Sequence, residues 1–398
     1  MLNFDALPFF DNHTHLINCG EKDGKEICLS TVEKAPWQMA VPFLHGFRDL
    51  PPPDGRGEYG LSPELQRHVA NFGIVKTMVN YLSRYLHCEA TLEAVTAARN
   101  ERTGKDLAGY TKALYEDQHI IAAVADLPNP MNDPLLRQCF PLKLLRLYQM
   151  DPLLNRLLKE SPDLDTFMEG YLASIRQAAS EGFAGIKCHV FEIVTGDIHK
   201  VDRESAKNLY ARAKEGGESS FDSFNGFYLY VFAQTLLLAQ ELNLPVHIHT
   251  GCTGGTGNGL LANCDPTRIC PFLNDPDYRF TKIVFLHSSV PEIRKAALLT
   301  HCYPNVWLDL SWTLPWTNIN FSQCLEEVMG LAPWDKIMLG TGQHDIPEMA
   351  WCAAKIAKSA LAFIMDKSLC MNLISPAQAE EAAEMILYKN AFNLYHLR

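Results

Sequence analysis

Short apolar runs alternate with helix-like segments along most of the chain, and this alternation is the main structural signal in the sequence. Each run is short and is bounded by turn-forming or polar residues, which is typical of buried strands. The predicted strands are residues 7–16, 119–126, 141–146, 185–189, 244–250, 282–287, 305–309 and 336–341, of which 141–146 is the weakest. The predicted helices are residues 62–100, 107–116, 164–181, 205–214, 226–242 and 290–300.

Strands that alternate with helices predict an α/β fold with a parallel sheet covered on both faces. Eight such units close naturally into a (β/α)8 TIM barrel, and residues 17–64 would then be helical and loop insertions after strand 1. The alternative is an open doubly wound sheet, which should carry a glycine-rich phosphate-binding turn after its first strand. The sequence has none there. We therefore expect one barrel domain over residues 1–398.

Two stretches are predicted to be loops near one end of the barrel. Residues 17–64 are turn-rich and aromatic, with residues 51–55 as the clearest break. A loop of this length is either a functional lid or plain surface covering. The glycine-rich residues 251–259 follow strand 5 and match neither a Walker A loop nor a dinucleotide fingerprint, so they are interpreted as a mobile loop over the pocket.

The net charge and the hydropathy of the chain argue against nucleic acids and membranes as partners. The formal net charge is −11 and there is no basic run, which argues against a nucleic acid or an anionic membrane surface as partner. The longest apolar stretch, residues 228–239, is interrupted by Gln234 and is too short to span a membrane. We expect a small-molecule substrate and no membrane association.

The cysteines point to a reducing compartment. There are 12 of them, and none forms a C-x-x-C pair, which disfavours a thiolate zinc cluster. The N-terminus has an acidic residue at position 5 and lacks the basic and apolar regions of a secretory signal. Free thiols without such a signal predict a cytoplasmic location.

Histidines follow several of the predicted strands. His13 and His15 are two residues apart at the end of strand 1, so in an extended strand they share a face. Lys187, His249 and His287 end strands 4, 5 and 6. Barrel closure brings all strand ends to one rim, where the active sites of TIM barrels lie. A lone histidine is more often a packed core residue, but several that converge predict a site for Zn²⁺, or for Mn²⁺ or Fe²⁺.

The strand-end motifs resemble those of the amidohydrolase superfamily, and in particular its amidohydrolase-related group of TIM-barrel metal-dependent hydrolases. The similarity covers nearly the whole chain, and the order and spacing of the motifs carry it. The motifs are residues 10–15 (FDNHTH), 185–187 (GIK), 247–251 (HIHTG), 285–288 (FLHS) and 305–312 (NVWLDLSW).

The resemblance implies a ligand set for one or two divalent ions, with zinc favoured and manganese or iron as alternatives. His13, His15, His249 and His287 would be metal ligands. Lys187 would match the strand-4 lysine that is carboxylated and bridges two metals in binuclear members. A free ammonium is a poor ligand, and the alternative for Lys187 is an ordinary ion pair with a carboxylate.

The sequence departs from the family pattern at strand 8. The family has Gly-Thr/Ser-Asp there, with an aspartate that binds metal and accepts a proton from water. Here residues 340–348 read GTGQHDIPE, so Gly342 stands at the position of the aspartate. Either Asp345 or His344 reaches back from the loop as the catalytic residue, or the general base has been lost.

Three further residues lie close to these motifs. His247 shares a face with His249 one layer deeper and is expected in the core or behind a ligand. His189 is a candidate for contact with substrate. Asp309, at the end of strand 7, would either orient a ligand histidine or cap the following turn.

The expected activity is hydrolysis of an amide, ester or lactone bond of a small molecule by metal-activated water. Metal-dependent decarboxylation of a small acid is the alternative, because it has less need of a hydrolytic base. A metal-binding barrel without catalysis is a further alternative. A homo-oligomer is the default expectation for assembly.

Overall fold

Eight parallel strands form the centre of the molecule. The structure, a computed structural model, describes residues 2–16, 20–22, 25–27, 33–44, 59–126, 139–140, 142–216, 220–251, 261–344 and 346–397. Every strand except the last is a short segment that ends at or next to a polar residue. The strands are β1 (Phe9–Thr14), β2 (Ile120–Ala125), β3 (Lys143–Gln149), β4 (Gly185–Cys188), β5 (Val246–His249), β6 (Ile283–Leu286), β7 (Val306–Asp309) and β8 (Ile337–Met338).

The strands pair in chain order from β1 to β8, and every neighbouring pair is parallel. The barrel closes where the chain after β8 meets β1. Asn12 N donates to Leu339 O (3.0 Å), Gly342 N donates to His13 O (2.8 Å), and His15 N donates to Gln343 O (2.8 Å). The prediction of a (β/α)8 barrel is confirmed.

Helices follow the strands and cover the outside of the barrel, which is why the strands are apolar on both faces. The helices after β2 are α4 (Met150–Glu160), α5 (Leu164–Ser180), α6 (Val190–Ile193), α7 (Arg203–Glu215), α8 (Ser220–Glu241), α9 (Cys270–Leu273), α10 (Ile293–Cys302), α11 (Thr313–Thr317), α12 (Phe321–Met329), α13 (Pro347–Cys370), α14 (Pro376–Glu384) and α15 (Asn390–Leu394). Within the described residues, no helix has the length and apolar character that crossing a membrane requires.

The insertion between β1 and β2 holds a 3-10 helix (Pro36–Leu44) and three helices, α1 (Pro63–Val69), α2 (Gly73–Leu86) and α3 (Leu92–Asp117). The helical stretch predicted over residues 62–100 is therefore broken twice. Its second break follows His87, which adopts a left-handed backbone conformation (φ 57°) and ends α2. A two-stranded antiparallel ribbon (Gly20–Lys22 with Lys25–Ile27) precedes them. The predicted break at residues 51–55 lies outside the described residues, and so do residues 252–259 of the predicted glycine-rich loop at 251–259.

The C-terminal segment packs into the interior of the barrel. Phe10 stacks on the ring of Tyr395 (5.8 Å between centroids) and meets Phe392 edge-on (5.6 Å). A buried apolar cluster surrounds these rings, with members from the strands and from the C-terminal segment. This cluster comprises Phe10, Ala122, Val124, Leu147, Val284, Leu286, Met338, Ala391 and Leu394. It leaves the carboxyl end of the barrel to the polar residues that follow the strands.

Candidate metal centre

His13, His15 and Asp126 form a three-donor group at the carboxyl end of the barrel. The two histidines lie at the end of β1, and Asp126 directly follows β2. One donor atom from each residue lies within 4.8 Å of the others. The His13 and His15 rings are 5.0 Å apart and nearly perpendicular (87°). Adjacent parallel strands place these donors together, although more than a hundred residues of sequence separate them.

The ring of His13 is buried without a hydrogen-bond partner on either nitrogen. Buried polar atoms are almost always paired, so two unpaired ring nitrogens need an explanation. Burial, together with the nearby charge of Lys187, lowers the pKa of His13 well below its usual value. The imidazole is therefore neutral at pH 7, which is the form that binds a metal ion.

His249 and His287 complete a row of histidines around the same rim. His287 directly follows β6 and lies 5.2 Å from His13 between ring centroids. His249 ends β5 and lies 4.5 Å from His287. His249 Nε2 also lies 3.1 Å from Glu192 Oε1, on the short helix α6. The four histidines predicted from the strand ends are thus neighbours in the structure.

A hydrogen-bond network orients the ring of His287. Its Nδ1 lies 3.1 Å from the backbone oxygen of Ser311 and 3.0 Å from the Ser311 hydroxyl. The hydroxyl donates to Asp309, which also accepts from Ser311 N (2.9 Å) and Asn12 Nδ2 (2.9 Å). Burial raises the pKa of Asp309 to about 6. Asp309 therefore acts on His287 through Ser311, an arrangement that fixes which nitrogen faces the site.

Lys187 is paired with a carboxylate. Its Nζ donates to Asp126 Oδ2 (2.7 Å) and to His189 Nε2 (3.1 Å), and both members of the ion pair are about 1% exposed. Gln149 Nε2 donates to the other oxygen of Asp126 (2.5 Å). Burial acts to raise the pKa of Asp126, but the Lys187 charge and these hydrogen bonds outweigh it and hold the pKa below its usual value. The ion pair that the sequence left open as the alternative for Lys187 is the arrangement observed.

His189 continues this network toward α4 and α8. Its Nδ1 donates to Asp151 Oδ2 (2.5 Å), and Asp151 Oδ1 accepts from the hydroxyl of Tyr228 (2.6 Å). The His189 side chain is 27% exposed. It lies 5.4 Å from His249 between ring centroids, so it borders the row of histidines.

The structure explains the glycine at strand 8. Gly342 has φ +60°, and a Cβ atom there would lie 2.8 Å from the backbone nitrogen of Trp312 and 3.0 Å from its ring. No side chain fits at this position. Of the two catalytic candidates, His344 stacks on His15 (3.8 Å between centroids, 25°). Asp345 lies outside the described residues.

His247 lies deeper in the barrel, as its period-2 relation to His249 predicts. It is fully buried, and its Nε2 lies 3.1 Å from the hydroxyl oxygen of Tyr395. Burial and the charge of Lys187 lower its pKa to about 3. This contact connects the C-terminal segment to the layer below the metal centre.

Sequence reasoning missed two carboxylates of the site. Asp126 could have been predicted by the rule that identified the histidines, because it is a polar residue directly after a barrel strand. Glu192 carries no such signal, because it lies on a helix and reaches His249 only through the fold.

The donor set fits a divalent cation. Neutral imidazole nitrogens combined with a carboxylate oxygen are the usual ligands of zinc and also suit manganese and iron. The unpaired ring nitrogens of His13 are an independent structural observation that supports this fit. The geometry thus provides a possible metal site and does not select the metal.

Comparison with known sequences identifies the family. The family model described as Amidohydrolase matches residues 161–397, which is more than half of the chain. The chain belongs to the amidohydrolase family. Protein fluG of Emericella nidulans is similar to this chain, with 31% identity over 245 residues. The match covers 58% of this chain and 28% of fluG, so the chain spans less than a third of that relative.

Solved structures share the fold over the full length. A protein of Lactobacillus casei ATCC 334 described as a metal-dependent hydrolase has a TM-score of 0.77 at 18% identity, covering 100% of this chain and 98% of its own. The uronate isomerase of Thermotoga maritima has a TM-score of 0.66 at 15% identity, covering 98% and 95%. At these identities the likeness establishes the (β/α)8 barrel fold and does not extend to the reaction.

Proposed function

We propose that this protein is a metal-dependent hydrolase that acts on an amide, ester or lactone bond of a small molecule. The observation that carries the proposal is the group of His13, His15 and Asp126, in which both ring nitrogens of His13 are buried and unpaired. Membership of the amidohydrolase family supports it. The fold alone does not select hydrolysis, because the similar structures include uronate isomerases.

His13, His15, His249 and His287 are the residues proposed to hold the ion. When bound, a divalent ion polarises a carbonyl oxygen and makes a water molecule more acidic. The protein contributes rigid placement: Ser311 holds Nδ1 of His287, so Nε2 is the nitrogen directed away from this contact. A fixed ring orientation lowers the cost of ordering ligands when the ion binds.

His344 and Asp345 remain the proposed groups for proton transfer. His344 stacks on His15, which brings an ionisable ring to the rim beside the three-donor group. A histidine is suited to accept a proton from water and return it to a leaving group near neutral pH. Trp312, 5.1 Å from His344 between centroids, packs against the ring and limits its movement.

Decarboxylation of a small acid is the second candidate, and Gly342 is the observation that favours it. The close approach of Trp312 leaves no room for a carboxylate at this point of strand 8. Hydrolysis needs a base for water, whereas decarboxylation mainly needs stabilisation of charge on a substrate oxygen. Release of CO2 from small acids without hydrolysis of any ester, lactone or amide would support this candidate.

The test is metal content and turnover in a matched pair of double variants. We expect the wild type to hold near-stoichiometric zinc, manganese or iron by elemental analysis, and His13→Ala/His15→Ala to lose it together with hydrolysis. His199→Ala/His301→Ala, which removes two exposed histidines, is the control and should keep both. Equal metal in all three proteins would contradict the proposal.

The setting proposed from the sequence is the cytoplasm, with a small-molecule substrate and a homo-oligomeric assembly. Nine cysteines of the described part carry free thiols, and several of them are buried in the core. Free thiols are stable in a reducing compartment, which supports the location. Light scattering of the purified protein tests the assembly.

A further inference from the structure

Asp126 and Lys187 form a buried ion pair that borders the three-donor group. They belong to neighbouring parts of the barrel, because β2 and β4 both pair with β3. The pair is in direct contact (2.7 Å) and almost completely removed from solvent. A buried ion pair costs desolvation energy and is weak evidence for stability alone. Its position beside two histidines suggests a role in binding.

Asp126 can serve two partners and still bind a cation. Its Oδ2 accepts from Lys187 and its Oδ1 accepts from Gln149. Each carboxylate oxygen has two lone-pair directions, so both hydrogen bonds leave acceptor capacity on the carboxylate. Metal-bound carboxylates are commonly held in this way by outer hydrogen-bond donors. Lys187 and Gln149 fix the carboxylate next to His13 and His15.

A carboxylated Lys187 does not suit the same surroundings. Carboxylation requires the Lys187 ammonium to lose one proton first. The lone pair of the free amine then bonds to CO2 and a second proton is released, so a cation is replaced by an anion. That anion would face the carboxylate of Asp126, whose oxygen lies 2.7 Å from Nζ. Two buried like charges in contact repel strongly. The side chain of Lys187 is also fully enclosed and its Nζ contacts His189 on another side.

The number of donor groups points to one ion. In the part of the chain that the structure describes, one set of three or more histidine, cysteine or acidic donors is close enough for a shared ion. His249 lies beyond His287 along the rim, and its nearest acidic contact is Glu192. A binuclear centre would need a second compact set around the lysine.

We propose that each chain holds one divalent ion, that Asp126 is a ligand of this ion beside His13 and His15, and that an unmodified Lys187 positions Asp126. The inference rests on the proposed function, since it specifies the ligands and the count of the same metal centre. It assigns Asp126 as a ligand and Lys187 as a positioning residue. It replaces the carboxylated bridge that the family resemblance implied for Lys187.

The experiment is zinc binding to the metal-depleted full chain, with and without bicarbonate. Metal per chain is measured after removal of free zinc, and the intact mass is measured under native conditions. The variants are Asp126→Asn and Lys187→Met. Asp11→Asn is the matched control, because Asp11 is an equally buried carboxylate that accepts its hydrogen bonds from Thr341.

We expect one zinc per wild-type chain, no effect of bicarbonate and no added mass of CO2. Asp126→Asn should bind zinc at least about 10-fold more weakly, whereas Lys187→Met and Asp11→Asn should still reach one equivalent at saturating zinc. Two equivalents that depend on bicarbonate and fall in Lys187→Met would overturn the inference and leave the proposed function standing. No zinc in the wild type would overturn both.

A second measurement avoids variants that fail to fold. X-ray absorption at the zinc edge of the wild-type protein should show nitrogen and oxygen ligands without scattering from a second zinc at about 3.5–4 Å. A zinc–zinc signal at that distance would contradict the single-ion centre whatever the variants do.

Discussion

Gly342 shows how one backbone position decides the chemistry available at strand 8. Its left-handed conformation (φ +60°) lets the chain turn beside Trp312 while Gly342 N donates to His13 O. Glycine alone adopts this conformation without steric cost. The turn therefore holds the backbone of the proposed ligand His13 in place and excludes a side chain from this point of the site.

Gly342→Ala should destabilise the protein by about 2–4 kcal/mol. The new Cβ would meet the Trp312 backbone at 2.8 Å in a conformation that L-residues avoid. Urea denaturation of the metal-depleted protein measures the change. Gly104→Ala is the control, because Gly104 lies in α3 with open space around its Cβ, and alanine there should stabilise by about 0.5–1 kcal/mol. Equal effects of the two substitutions would contradict the steric explanation.

Helix α13 connects the end of the barrel to the insertion after β1. Glu348, in its first turn, forms a fully buried ion pair with Arg99 of α3 (2.8 Å). Trp351 Nε1 donates to Asp117 at the end of α3 (2.6 Å). About two turns further along, the buried Lys358 donates to the backbone oxygens of Asp5 and Gln118 (2.8 Å each). These contacts explain why a helix that follows strand 8 is buried along most of its length.

Lys358→Met should destabilise the protein by about 1–3 kcal/mol near pH 7, because two buried carbonyl groups lose their donor. Burial lowers the pKa of Lys358 to about 8. The folded protein thus releases this proton at a lower pH than the unfolded chain. The unfolded state then holds more protons between pH 8 and about 10.5, so folding becomes more favourable as the pH rises through this window.

The measurement is the difference in urea midpoint between wild type and Lys358→Met at pH 7.5 and at pH 9.5. The advantage of the wild type should be larger at pH 9.5. Lys76→Met, which changes an exposed lysine of α2, controls for the loss of a lysine in general. A difference that shrinks with pH would show that the ammonium is better stabilised in the folded protein than its burial implies.

At the scale of the whole molecule, the C-terminal segment and the candidate metal centre meet inside the barrel. The hydroxyl of Tyr395 donates to Asn12 Oδ1 (2.7 Å), and Asn12 Nδ2 donates to Asp309. From Asp309 the network continues through Ser311 to His287. Side chains at opposite ends of the sequence are therefore joined in one hydrogen-bonded path.

Tyr395→Phe should reduce stability by about 1–3 kcal/mol, because Asn12 and His247 lose a buried partner. Denaturant unfolding of the metal-depleted protein measures the loss. Tyr388→Phe removes a partly exposed hydroxyl from the same segment and should change stability by less than about 0.5 kcal/mol. An equally large loss of stability in Tyr388→Phe would mean that the loss in Tyr395→Phe comes from aromatic packing of the segment and not from the hydrogen bond to Asn12.

The local sequence pattern was sufficient to predict the barrel and to place four histidines along one rim. Strand type follows from short apolar runs, and the rule that strand ends meet at one rim brings His13, His15, His249 and His287 together without any contact being known. The helix boundaries were less predictable. The stretch 62–100 has helical spacing throughout, and its breaks depend on single positions such as His87, whose left-handed conformation no periodicity reveals.

The sequence by itself determined the fold, the family and the histidines of the candidate metal centre, because these depend on periodicity and on the order of short motifs. Only the tertiary structure decided which side chains contact one another. It paired Lys187 with Asp126, placed Glu192 beside His249 and set the Trp312 backbone against Gly342. Each of these contacts joins residues from different strands or loops, and such contacts follow from barrel closure rather than from neighbouring positions in the chain.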